Sequence, residues 1–262
     1  MRLSVSNIGW DAAYDEAMYA FLQQQGFSGL EIAPSRIFSQ QPYQQVEQAK
    51  VFANNMQQKY NLQICSMQSI WYGKTQKIVE SKSVQKELFS YTKQAIAFAV
   101  AVGCENLVFG CPKNRVVSHE EEKNIIIDFL VRIADEALKK GVVIALEANP
   151  TIYQTNFVNT TQEALEVVER VGHPALKINL DIGTIVSNHE DLNVLANHID
   201  LINHVHVSEP FLCPLEHRIL HREVKEILQS GGYEKYISLE MGKQNNIQLL
   251  HDSISYMKEV FS

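Results

Sequence analysis

Glu147, Asp181, His206 and Glu240 each stand at or next to the end of a short apolar run: VVIALE, ALKINLD, INHVHV and YISLE. Carboxylate oxygens and an imidazole nitrogen in this combination suit one Mn²⁺, Mg²⁺, Co²⁺ or Zn²⁺ ion. Gathered without a cation, three carboxylates would push one another's pKa upward, a conflict that a bound dication removes. A single acid at such a position also reads as a helix cap or a solvated loop residue. Four matches in four successive runs point instead to a shared site. His204, two residues before His206, faces the same side of its run and lies deeper, as a hydrogen-bonded core histidine would.

Bringing these side chains together requires strands that run side by side in one direction. Short apolar runs recur at 2–6, 29–33, 63–67, 106–110, 142–147, 176–181, 202–207 and 236–240, each followed by a longer segment of helical periodicity. Val84 to Val102 and Glu120 to Lys140 carry apolar residues three and four apart and stop at Gly103 and Gly141. Thr160 to Val171 begins at Asn159-Thr160-Thr161, a stretch of capping residues, with Glu163 in its first turn, and ends before Gly172 and Pro174. Eight βα units at about 33 residues each predict an α/β chain, a single-domain (β/α)₈ TIM barrel over residues 1–262. An open doubly wound sheet has the same alternation. The polar residues at strand ends favour the closed form, where those ends share one mouth.

Composition narrows the partners. The 262 residues are 45% hydrophobic and 20% charged, enough to bury a large core. A net charge of −7 with no basic run disfavours nucleic acid as a partner. Cys65, Cys104, Cys111 and Cys213 lack C-x-x-C spacing and read as reduced thiols. No run has the length of a membrane span and no leader opens the sequence, so a cytoplasmic protein without membrane contact is expected. No sustained heptad marks an interface, which leaves a homo-oligomer open.

LEANP, NLDIGT, HVHVSEP and ISLEM, in that order and spacing, resemble the xylose-isomerase-like TIM-barrel superfamily of sugar isomerases and epimerases. GLEIAP and VFGCPKNR look like its second and fourth strands, so the likeness spans nearly the whole chain. The resemblance implies one divalent ion, Mn²⁺ foremost, on Glu147, Asp181, His206 and Glu240. It also implies that Glu147 and Glu240 are the catalytic pair that moves a proton on a carbohydrate substrate, through a metal-stabilised cis-enediolate. The chain departs from its relatives at Thr184, where many carry a second histidine. It departs again at Leu212 and Tyr153, where ketose 3-epimerases carry an arginine and an acid that bind substrate.

The substrate-binding candidates are therefore placed by position. Gln68 ends the third strand, Tyr153 follows the fifth, and Trp10 and Trp71 stand where an indole could stack on a sugar or pack in the core. Lys113 could meet a phosphate or carboxylate; Arg115 beside it reads more simply as solvated charge. Glu31 could reach the mouth or cap the next segment. Of His217 and His221, at i, i+4 spacing, one is expected near the substrate, His217, and the other at the surface. Three further functions compete: a sugar or cyclitol dehydratase or lyase sharing the first proton abstraction, a barrel that binds sugar without turnover, and an abasic-site endonuclease. Thr184 and the acidic charge argue against the last.

Overall fold

The computed structural model describes all 262 residues. Eight strands, β1 (Arg2–Ser6), β2 (Gly29–Ile32), β3 (Gln63–Met67), β4 (Asn106–Phe109), β5 (Val143–Glu147), β6 (Leu176–Asp181), β7 (Ile202–Val207) and β8 (Tyr236–Leu239), form one closed parallel barrel. Each strand pairs with the next in sequence, and β1 joins β8 from Arg2↔Tyr236 to Val5↔Leu239. The strands fall within a residue of the sequence expectation because buried parallel strands are near-continuous apolar runs bounded by polar residues.

The surrounding helices are α1 (Asp15–Gln25), α2 (Pro34–Ile37), α3 (Val46–Tyr60), α4 (Lys82–Ala101), α5 (Glu122–Leu138), α6 (Thr161–Val171), α7 (Ile182–Asn188), α8 (Ile219–Ser230) and α9 (Ile247–Phe261). Two of them, α2 and α7, are short helices of four and seven residues that the periodicity did not mark. The capping expected for α6 is present: Thr160 Oγ1 accepts from Glu163 N at 3.1 Å, and Glu163 Oε2 accepts from Asn159 N at 2.6 Å. No helix is long and apolar enough to cross a membrane.

Alternation along each strand sends Leu3, Val5, Leu30, Ile32, Leu107 and Phe109 outward into the helix layer, where the apolar core lies. The inside of the barrel is polar. Ser4, Ser6, Glu31, Ser66, Gln68, Asn106, Asn179, His204, His206 and Ser238 are all buried, where barrels of this type commonly stack branched apolar side chains. They satisfy one another across the lumen: Asn203 Nδ2 donates to Asn106 Oδ1 at 2.6 Å, and Asn106 Nδ2 donates to Ser66 Oγ at 2.9 Å. Gln68 Nε2 donates to Ser6 and Glu240 at 2.8 Å each. A register shift between Ile178 and Asn179 sets Asn179 opposite His204 and Asp181 opposite His206, so the last polar residues of β6 and β7 rise together.

Gly29 lies where β1, β2 and β8 meet; a Cβ there would stand 2.6 Å from both Ser4 Cβ and the Tyr236 ring. Gly29→Ala is expected to destabilise the barrel by about 1–3 kcal/mol through overpacking. That is a fall of roughly 2–12 °C in melting temperature. An unchanged thermal transition would show that the floor of the barrel yields.

Candidate metal centre

At the C-terminal mouth of the barrel a cavity of ≈200 Å³ is lined by Glu147, Asp181, His206 and Glu240, together with Gln68, Asn149, Tyr153 and Leu212 among others. His206 stands at its base. Nε2 contacts Glu31 Oε2 at 2.9 Å, while Nδ1 lies 3.0 Å from Glu147 Oε1 and 3.2 Å from Glu240 Oε2. Nδ1 nevertheless has no hydrogen bond, although it is buried. With a cation bound, Nε2 would keep the proton shared with Glu31 and Nδ1 would turn its lone pair to the ion.

Asp181, His206 and Glu240 each offer a ligand atom, all within 4.8 Å of one another, and Glu147 approaches the same nitrogen. An unpartnered buried donor facing three carboxylates is what a divalent cation would complete, so the residues present fit such an ion. Glu31, His204 and His206 also lie within that distance of one another. Their nitrogens, however, already share the Glu31 carboxylate, at 2.9 and 3.4 Å, so this deeper group is an ion-pair network.

Each carboxylate is held by named donors. Glu147 Oε1 accepts from Asn179 Nδ2 at 2.6 Å and Oε2 from Asn149 Nδ2 at 3.0 Å. Asp181 caps α7: its oxygens accept from Gly183 N at 3.2 Å and Thr184 N at 3.0 Å, with the Ser208 hydroxyl bonded to Oδ1. Thr184, at the relatives' histidine position, places its hydroxyl 2.7 Å from Asp181 Oδ2. Two glycines make room: a Cβ on Gly110 would stand 2.7 Å from Glu147 Oε2, and one on Gly183 2.5 Å from Ser208 Oγ.

The crowding sets the proton affinities. Burial, then the Glu147 and Glu240 charges, push Asp181 up to about 7. Glu240 is also raised, by burial first and then by Glu147 and Glu31, against the pull of His206. Burial would raise Glu31 too, but His206 and His204 outweigh it and hold that carboxyl well below its ordinary value. For His206 burial favours the neutral ring, yet Glu240 and Glu31 prevail and raise its pKa far above the usual one. Burial lowers His204, which bonds Ser238 at 2.8 Å as a core histidine.

The model of the xylose isomerase-like TIM barrel family matches residues 19–260. The chain belongs to this family. It is similar to the "Putative hydroxypyruvate isomerase" of Xenopus laevis, 25% identical over 176 residues, a match spanning 62% of this chain and 63% of that protein. The chain thus covers under two thirds of this curated relative's length. In fold it is similar to D-psicose 3-epimerase from Clostridium cellulolyticum H10, with a TM-score of 0.80, 15% identity and full coverage of both chains. It is likewise similar to the IOLI protein, whose structure holds a zinc atom, with a TM-score of 0.75, 18% identity, and 99% and 96% coverage.

The structure brings Gln68 and Tyr153 to the cavity and places four other substrate-binding candidates away from it. Trp10 is 1% exposed, its indole donating to Asp15 at 2.8 Å. Trp71 is 3% exposed, bonded to Thr92 on α4 at 2.9 Å and packed edge-on to Phe109 and Phe129. Both indoles turn into the helix layer, where their apolar area is removed from water. Lys113 is exposed and lines no part of the cavity. His217 is exposed and stacks on Tyr256 at 3.9 Å, while His221 is the buried one, 3.0 Å from the Tyr256 hydroxyl; the expected order of the pair is reversed and neither reaches the cavity.

Arg115, expected as solvated charge, is fully buried. Its guanidinium donates to Glu147 O at 2.8 Å, Asn149 Oδ1 at 2.8 Å and Val158 O at 3.1 Å. It thereby fixes the amide of Asn149 that donates to Glu147, and burial lowers its own pKa to about 10. Nothing in PKNR distinguishes this residue from a loop cation. Glu31 had a signal: a charge in mid-strand between outward-facing Leu30 and Ile32 must point into the barrel.

Glu31→Gln is expected to weaken divalent-ion affinity about 10–100-fold by loosening His206; calorimetric titration showing unchanged affinity would remove that role. His221 provides a second test, since burial lowers its pKa from 6.5 to about 4. The unfolded chain therefore takes up the proton first, and this contribution to stability is present at pH 7 and declines between pH 6.5 and 4. Acidifying from pH 7 to 5 should cost about 2 kcal/mol through this ring. Chemical denaturation of His221→Leu should show a correspondingly flatter pH dependence, and an identical slope would count against it.

Proposed function

We propose that this protein is a divalent-metal-dependent isomerase or epimerase of an uncharged sugar, with Glu147 and Glu240 as the proton-transferring pair. The observation that carries this is the convergence of both carboxylates on the unpartnered His206 Nδ1, at 3.0 and 3.2 Å. Glu147, Asp181, His206 and Glu240 would hold the ion, Mn²⁺ foremost with Mg²⁺, Co²⁺ or Zn²⁺ as alternatives; the zinc of the IOLI protein supports a metal here. Bound there, the ion would polarise a substrate carbonyl and the hydroxyl beside it.

The protein's own groups do the rest. One carboxylate takes the proton from the carbon next to the carbonyl, and the opposite one can return a proton on the other face. Their holders keep them apart: Asn179 and Asn149 fix Glu147, while Gln68 fixes Glu240. Return of the proton to the same carbon from the opposite face gives epimerisation; return to the former carbonyl carbon, with the neighbouring hydroxyl proton passing to the old carbonyl oxygen, gives isomerisation. The D-psicose 3-epimerase fold match agrees with the first outcome, and the hydroxypyruvate isomerase relative with the second.

The cavity wall also bears on the substrate. No lysine or arginine lines it, while three carboxylates do. A phosphate would meet no fixed cation there, so an unphosphorylated sugar is the better match.

The test is proton exchange in D₂O with Mn²⁺-loaded protein and a panel of free ketoses and aldoses, followed by NMR. Deuterium incorporation together with an epimer or isomer formed without loss of water is expected. Glu147→Gln and Glu240→Gln should each slow it by about 10²–10⁴-fold, with elemental analysis reporting about one ion per wild-type chain. Loss of water from the substrate would assign a dehydratase instead, and absence of metal binding would overturn the proposal.

A further inference from the structure

Besides the carboxylates, the cavity is lined by apolar side chains, Val108, Pro112 and Leu212, and by the ring of Tyr153. Leu212 belongs to the loop after β7, which has an unusual backbone. Phe211 and Leu212 are consecutive non-glycine residues in the left-handed region, with φ of 60° and 55°. Each such residue costs about 1–2 kcal/mol, so the loop would relax if it were free. It is not free. Glu209, buried at its start, is gripped by Arg218 at 2.7 and 2.8 Å. Phe211 N donates to the Tyr153 hydroxyl at 2.8 Å, and Leu212 O accepts from Gly242 N at 2.8 Å.

The result of this clamping is an aromatic ring held in water at the rim. Phe211 is 66% exposed, its ring 6.1 Å from that of Tyr153 and inclined at 61°. Packing within the molecule explains neither the strain nor the exposure, since burying a phenyl ring is worth about 1.5–3 kcal/mol. Backbone strain that persists because its surroundings enforce it is concentrated at functional sites. Here Ser69 and Cys111, also left-handed at φ 53° and 44°, line the same cavity.

At ≈200 Å³ the cavity is smaller than the roughly 300 Å³ at which drug-sized sites begin, so it accommodates one sugar ring and little more. A group attached to that ring extends out of the mouth, beside which Tyr153 and the exposed ring of Phe211 stand. We infer that Phe211, with Tyr153 and Leu212, forms a second subsite that takes the apolar face of a ring joined to the reacting sugar, so that the preferred substrate is an uncharged sugar that keeps its own carbonyl free and carries a second ring on one of its hydroxyl oxygens, rather than an unsubstituted monosaccharide. The placement of the first ring rests on the function proposed above. An aromatic platform suits the second ring because offset and edge-on contacts between apolar ring faces need no charge and no long flexible side chain.

The experiment is calorimetric titration of the Mn²⁺-loaded full chain with the 4-O-methyl and 4-O-phenyl ethers of glucose, galactose and mannose, whose carbonyl carbon stays free, and with the unsubstituted sugars. The phenyl member of at least one pair is expected to bind about 3- to 10-fold more tightly than the methyl member. Phe211→Ala should bring that ratio to within two-fold of unity, and Phe211→Trp should preserve it. A ratio of one in the wild type, or a preference that survives Phe211→Ala, overturns the subsite. If unsubstituted sugars bind and no ether does, the subsite fails while the proposed function stands; if the metal binds and no sugar of either kind does, both fail.

Discussion

Three carboxylates cannot be buried around one point unless positive charge or hydrogen-bond donors reach each of them, and the barrel is organised to supply both. His206 stands between Glu31 below and the Glu147–Glu240 pair above. Asp181 is satisfied by the backbone N–H groups that open α7, and Glu147 by two asparagines, one of them locked by buried Arg115. Removing one partner from such a network leaves an uncompensated buried charge, which costs far more than the pair itself contributes. Most of the polar side chains inside the barrel have their place explained by this one requirement.

The same requirement separates the two faces of every strand. Outward positions carry the apolar contacts that hold helices to the sheet, and inward positions carry the network. Cohesion and chemistry therefore draw on different side chains of the same strands. This division allows the mouth to hold strained residues such as Cys111 and Leu212 without weakening the layer that keeps the barrel closed.

Much of this was written in the chain. Strand ends such as LE at 146–147 and LD at 180–181 were readable because four successive apolar runs end on or beside a ligand-type residue, where one alone would read as a helix cap. Arg115 and Asn149 were not readable, since their partners lie 34 residues apart and meet only when neighbouring loops fold against each other. Glu31 and His206 are 175 residues apart and meet across the closed lumen. The indoles misled for a related reason: position after a strand gives the height of a residue in the barrel, but the direction of Trp71 was decided by Thr92 on α4.

The pairing of β1 with β8 has a consequence for how the protein is made. Residue 2 must wait for residue 236 before the ring can shut, so the contact that completes the sheet carries one of the largest loop-closure entropies in the chain. Glu240 arrives with that last strand. A nascent chain emerging from the ribosome therefore carries three of the four clustered side chains long before it can enclose anything between them. Whatever binds at the mouth favours the shut ring alone, and biosynthesis ends in a step that ligand can make harder to reverse.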